Sequence, residues 1–275
     1  MVAALILPFL LSPHLASAGE AVEIRIVASD DWGGSPTQDI HAVLASTAKD
    51  ILKFFPDRKL KPIIVEHGNG MPVTLYERGP NDETKIHINS AGLHWAQFSY
   101  QFSHELTHVL AGYERVEPNS PPNMWFEESL CMMGSLFAMR QMSETWKTSP
   151  PYPNWKDYAP HLRSYVDDVM NDPKHQLAAD TTLAQWYQAN KEKLKSTSTS
   201  GGEGRDMQLV IASVLLPIFE KTPENWPAIG YLNMKKTGNS SFKEYLDAWQ
   251  ESAPQKYKPF VGLIRAKFGN LETTK

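Results

Sequence analysis

The sequence predicts an α+β fold: a small mixed sheet with one helix, followed by an all-helical half. Two observations carry this. Short alternating or apolar runs bounded by turn residues are confined to the first ninety or so positions, and from Trp95 onward the apolar residues recur at helical spacing with no convincing strand. Residues 22–27 (VEIRIV) alternate as a strand does. Residues 40–55 place Ile40, Val43, Leu44, Ala48, Ile51, Leu52 and Phe55 on one helical face, which Pro56 ends. Residues 62–66 (PIIVE), 73–76 and 85–89 (KIHIN) read as three further strands, separated by Gly68-Asn69-Gly70 and by the turn Gly79-Pro80-Asn81-Asp82. In the second half, helices are expected over 125–142, 160–170, 182–194, 207–219, 240–249 and 257–268, with a bend at Pro217 and a flexible loop over 195–204 (KSTSTSGGEG).

With 275 residues, 41% of them hydrophobic, the chain can bury a sizeable core. A net charge of -4 without a basic stripe argues against a nucleic-acid partner. The single cysteine, Cys131, excludes an internal disulfide and reads as a small buried apolar residue. Residues 1–18 are apolar, lack Lys, Arg, Asp and Glu, and end in Ala16-Ser17-Ala18, the pattern of a leader cleaved before Gly19. Pro8 and Pro13 interrupt that stretch, and no later run reaches the roughly 18 apolar residues a membrane span needs. The expected product is exported, secreted or periplasmic, and not membrane-spanning. Its expected division is 1–18 leader, 19–112 α+β subdomain and 113–275 helical subdomain.

The chemistry-bearing residues lie at the junction of the two halves. His104 and His108 in the run QFSHELTHVL are four apart, so on a helix both imidazoles share a face and can ligate one zinc ion. Glu105 sits about 100° round the helix, placed to act as general base toward a water without being a ligand. A catalytic zinc needs a third protein ligand and an open position. Beyond Pro121-Pro122 a second apolar helix begins with WFEESL, and a returning helix can carry Glu128 back over the histidine pair. Glu127 reads as a solvated charge favourable to the helix N-terminus. His67, His87 and His94 read as ordinary turn or strand histidines, and Asn239-Ser240-Ser241 fits a glycosylation acceptor only in a eukaryotic secretory host.

HELTH at 104–108, followed by WFEESL at 125–130, resembles the gluzincin branch of the zinc metallopeptidases, in particular aminopeptidase-type and related members of the MA clan. The resemblance implies a zincin-like fold, zinc as cofactor, His104, His108 and Glu128 as ligands, and Glu105 as catalytic base. Ser129 stands where that family usually has glycine. It also implies an edge strand ahead of the metal helix that binds substrate backbone by β-addition, for which residues 85–89 are the candidate. Two family features are absent: the tyrosine at the start of a later apolar helix and the Gly-x-Met-Glu-Asn segment that anchors a substrate amine. Arg205, Gln208, Tyr152, Tyr158 and His161 are the candidate oxyanion donors in place of that tyrosine, and aminopeptidase specificity is not expected. The expected function is an exported zinc metallopeptidase acting on a peptide or protein substrate. The alternatives are a catalytically inactive zinc-binding zincin-like protein that serves as a peptide- or protein-binding module, and a helical extracellular protein in which the motif is accidental.

Overall fold

A computed structural model describes residues 22–116, 123–196, 203–235, 238 and 240–271. The leader at 1–18, Pro121-Pro122, Asn239 and most of the 195–204 loop lie outside the described residues. The fold is α+β, with a four-stranded mixed sheet in the first part of the chain and helices throughout the rest.

Strand β1 (Ile24–Ile26) leads into helix α1 (Thr37–Leu52), whose apolar face of Ile40, Val43, Leu44 and Ile51 is fully buried. The chain returns in β2 (Ile63–His67), parallel to β1. Strands β3 (Val73–Arg78) and β4 (Thr84–Ile88) form an antiparallel hairpin closed by a turn, in which Gly79 N–H donates to Glu83 O at 2.9 Å and Asp82 takes a left-handed φ of 66°. Strand β4 also pairs in parallel with β2, which gives the order β1-β2-β4-β3.

The candidate substrate strand, residues 85–89, is therefore interior. The tight hairpin folds β3 back onto the side of β4 that would otherwise be free, so β3 is the edge. The two strands alternate differently, as their positions demand. Strand β4 buries Thr84, Ile86 and Ile88, whereas β3 leaves Val73 and Tyr76 exposed and buries Thr74.

Helix α2 (Trp95–Ala111) follows the sheet and ends at Gly112, whose φ of 78° supplies a left-handed cap with its N–H on the His108 carbonyl. Helix α3 (Met124–Thr145) is buried on almost every side. It runs antiparallel to α2, because contacts step backward along one helix as they step forward along the other. His108 meets Glu127, Tyr100 O accepts from Ser135 Oγ at 2.9 Å, and Ser99 Oγ donates to Met142 Sδ at 3.0 Å. Helices α4 (Ala159–Asn171), α5 (Leu183–Ser196), α6 (Glu203–Lys221), α7 (Phe242–Ser252) and α8 (Lys258–Ala266) pack around this pair. Pro217 lies inside α6, and α7 opens with a capping box between Ser241 and Glu244. One hydrophobic cluster extends from Ile24 in the sheet to Phe268 after α8. Among the described residues, no strand follows Trp95 and no helix is long and apolar enough to cross a membrane.

Close α2–α3 approach depends on Gly134. A β-carbon there would collide with the Thr107 hydroxyl, which is itself held by the Ser103 carbonyl at 2.7 Å. Gly134→Ala is expected to lower Tm. Overpacking costs about 1–3 kcal/mol, which outweighs a helix-propensity gain of at most about 1 kcal/mol. Thermal denaturation checks this, and Thr107→Ala in the same chain should recover part of the loss.

Candidate metal centre

His104, Glu105 and His108 occupy the last two turns of α2, and Glu127 and Glu128 stand in the first turn of α3. That first turn is fixed by the residues just before it. Trp125 and Phe126 are fully buried against Phe242 and Phe268, with Trp125 and Phe242 centroids 4.5 Å apart and Phe242 and Phe268 centroids 5.0 Å apart. Ser129 hydrogen-bonds back to the Trp125 carbonyl at 2.7 Å, so a serine in place of glycine is accommodated within the helix. An aromatic anchor thus holds the two carboxylates toward α2.

The structure brings together all three ligands read from the sequence. Glu128 Oε2 lies 3.0 Å from His104 Nε2, and Glu128 Oε1 lies 3.5 Å from His108 Nε2. The two imidazoles are 5.1 Å apart between centroids. Donors held roughly 2.0–2.1 Å from a tetrahedral ion are separated by about 3.3 Å. The two histidine–carboxylate spacings fall on either side of that value. Cys131 also approaches: its sulfur and a ligand atom of each histidine all lie within 4.8 Å of one another. Burial pushes the Cys131 thiol up to about 12, so between carboxylate and thiol it is Glu128 that offers a charged donor at neutral pH.

Electrostatics among the protein groups follow from this crowding. Burial disfavours the Glu128 anion, but the charges and hydrogen bonds of His108 and His104 outweigh it and hold the carboxyl well below the usual range. Burial likewise disfavours charge on His108. The carboxylates of Glu128 and Glu127 beside it reverse that and raise the imidazole well above its ordinary value.

Glu127 is not a solvated charge. It is 1% exposed, and its Oε1 accepts from His108 Nδ1 at 2.8 Å. Its Oε2 accepts from Asn233 Nδ2 at 2.8 Å, and Asn233 Oδ1 in turn accepts from Tyr245 O–H at 3.0 Å. The aromatic cluster that buries Trp125 and Phe126 draws the neighbouring carboxylate inside with them, where it needs partners. A carboxylate on the far nitrogen of a ligand histidine fixes its tautomer and leaves Nε2 for metal.

Glu105 is buried and accepts from the Thr74 hydroxyl at 2.9 Å, which ties the edge strand to the candidate base. A cleft of about 820 Å³ opens here between β3 and α2 on one wall and α4 and α6 on the other. Of the candidate oxyanion donors, Arg205 and Gln208 line it. Tyr152, Tyr158 and His161 are not among its lining residues, and Tyr158 instead accepts from Ala96 N–H. Tyr165 of α4 lines the cleft as well, and the sequence reading missed it. His87, on its interior strand, faces Glu66 rather than the cleft.

Two outcomes are expected. Glu127→Ala should weaken zinc binding about 10- to 100-fold, measured by competition with a chromogenic chelator. In the second, protons and metal compete for His108. Its folded pKa lies above 6.5, so near neutrality the metal-free imidazole is charged, and zinc must displace that proton. Apparent zinc affinity should therefore rise with pH through this range, by about tenfold per unit for one proton, and loading should acidify a weakly buffered solution. For the metal-free chain the sign is opposite. The stability contributed by His108 is present below 6.5 and is lost as pH rises through the raised value, visible as a falling Tm. No protein-family model matches the chain, and no curated protein or solved structure is found to be similar to it.

Proposed function

We propose that the chain is an exported zinc metallopeptidase with a zincin-like arrangement, in which His104, His108 and Glu128 hold zinc and Glu105 is the general base. One observation carries the reading: two imidazole nitrogens and a carboxylate from an antiparallel helix converge at ligand spacing, beside a second buried carboxylate at the floor of a cleft.

Bound there, zinc would supply Lewis acidity, polarising a peptide carbonyl and acidifying the attacking water. Glu105 is one step round the helix from the ligands, and its second carboxylate oxygen is fixed by Thr74. It removes the proton from the water as the carbon–oxygen bond forms and delivers it to the amine as the carbon–nitrogen bond breaks. Gln208 of the helical wall supplies a hydrogen-bond donor for the oxyanion. Among the described residues, no strand pairs with the outer edge of β3, and exposed Val73 and Tyr76 line the cleft there, which suits an extended peptide added as a further strand.

The second reading, an inactive zinc-binding module that holds a peptide or protein, uses the same ligands and the same edge. Glu105→Gln separates the two. The variant should bind zinc as the parent does and lose about 10²-fold or more in turnover of a quenched-fluorescence peptide library. Glu128→Ala should lose both metal and activity. Undiminished cleavage by the Glu105 variant would contradict the assignment, and a zinc-loaded parent that binds peptides without cleaving any would favour the binding module.

A further inference from the structure

Among the described residues, Arg205 is the only lysine or arginine lining the cleft. It lies in the first turn of α6, with its guanidinium carbon 5.5 Å from the centre of the Tyr100 ring. Tyr100 of α2 lies beneath it, and Tyr165 of α4 lines the same cleft. Tyr100 precedes His104 by one helical turn, about 5.4 Å of rise. The cation and the candidate metal centre thus border one cleft, with Tyr100 between them on α2.

The acidic groups nearby are committed elsewhere. Glu105 is bonded by Thr74, Glu127 by His108 and Asn233, and Glu128 by both imidazoles. Asp206, next in sequence, faces His175 at 3.3 Å. Among the described residues, no carboxylate forms an ion pair with Arg205. Arg205 is itself exposed on the cleft wall, and its planar guanidinium fork matches a carboxylate in bidentate fashion. Tyr165, which lines the same cleft, has a phenol hydrogen to donate.

Resting on the peptidase reading, we propose that Arg205, with Tyr165, is a specificity-determining subsite for a substrate carboxylate close to the scissile bond. The guanidinium fork pairs with the carboxylate oxygens. Consecutive residues are about 3.8 Å apart at Cα, and the subsite and the candidate ligands line one cleft, so the anion belongs to a residue near the scissile bond. That anion is either the free C-terminus of the peptide or an aspartate or glutamate side chain.

Binding to the zinc-loaded full chain carrying Glu105→Gln tests this by calorimetry with three N-acetylated peptides of one sequence. These are the free acid, the C-terminal amide, and the amide with one glutamate introduced beside the scissile bond. One anionic form is expected to bind about 10- to 100-fold tighter than the neutral amide, and its identity names the source of the carboxylate. Adding Arg205→Gln should abolish that preference while zinc stoichiometry stays at that of the parent. Arg205→Lys should retain part of it, and serves as the test if the glutamine variant does not fold. Equal binding of all three peptides, or a preference that survives Arg205→Gln, overturns the proposal. Cleavage by the parent chain is scored separately. An Arg205-dependent preference without cleavage defeats the peptidase reading and leaves the subsite, whereas cleavage without a preference does the reverse.

Discussion

The antiparallel contact between α2 and α3 is the constraint on which the rest of the molecule depends. Neither helix alone assembles the candidate centre, since α2 supplies two imidazoles and α3 a carboxylate. They reach the spacing of ligands around one ion because Gly134 lets the backbones approach and the aromatic cluster around Trp125 and Phe126 pins the first turn of α3. A buried carboxylate beside two buried imidazoles would be costly in apolar surroundings. Here the groups satisfy one another, and the same mutual attraction that lowers Glu128 and raises His108 makes the cluster ready to exchange a proton for a cation.

The sheet contributes by position. Its edge strand does two things at once: Thr74 points inward to hold Glu105, while Val73 and Tyr76 stay open to the cleft. Alternation separates Val73 from Thr74, and the register shift between Thr74 and Arg78 interrupts that alternation before Tyr76. The helical half closes the other wall with Tyr165, Arg205 and Gln208, so one cleft carries the carboxylates of Glu105, Glu127 and Glu128 and the guanidinium of Arg205.

Much of the fold was legible because hydrophobic spacing is a local property. The four strands, the first helix and the six later helices lie within a few residues of where periodicity placed them. Strand order was not legible. Nothing local in residues 85–89 says that β3 returns against it, and the edge role passed to β3 through the hairpin. At the candidate centre, the i, i+4 histidines and Glu128 could be read because helix geometry and metal chemistry both restrict spacing. Glu127 was misread because its partners, His108, Asn233 and Tyr245, come from distant segments, and the sign available was only its place in a run of buried aromatics. Tyr165 carried no signal at all, since a tyrosine on an amphipathic helix reads as packing until the facing elements are known.

The hydrogen-bond chain from His108 through Glu127 and Asn233 to Tyr245 spans more than half of the sequence. It binds the orientation of one ligand to residues synthesised long after the ligands themselves. A nascent chain that has emerged only through α3 carries both histidines and Glu128 but has neither the amide that steadies Glu127 nor the aromatic lid of α7 over Trp125. The hydrogen bonds that orient the His108 imidazole are therefore complete only when Asn233 and Tyr245 are in place.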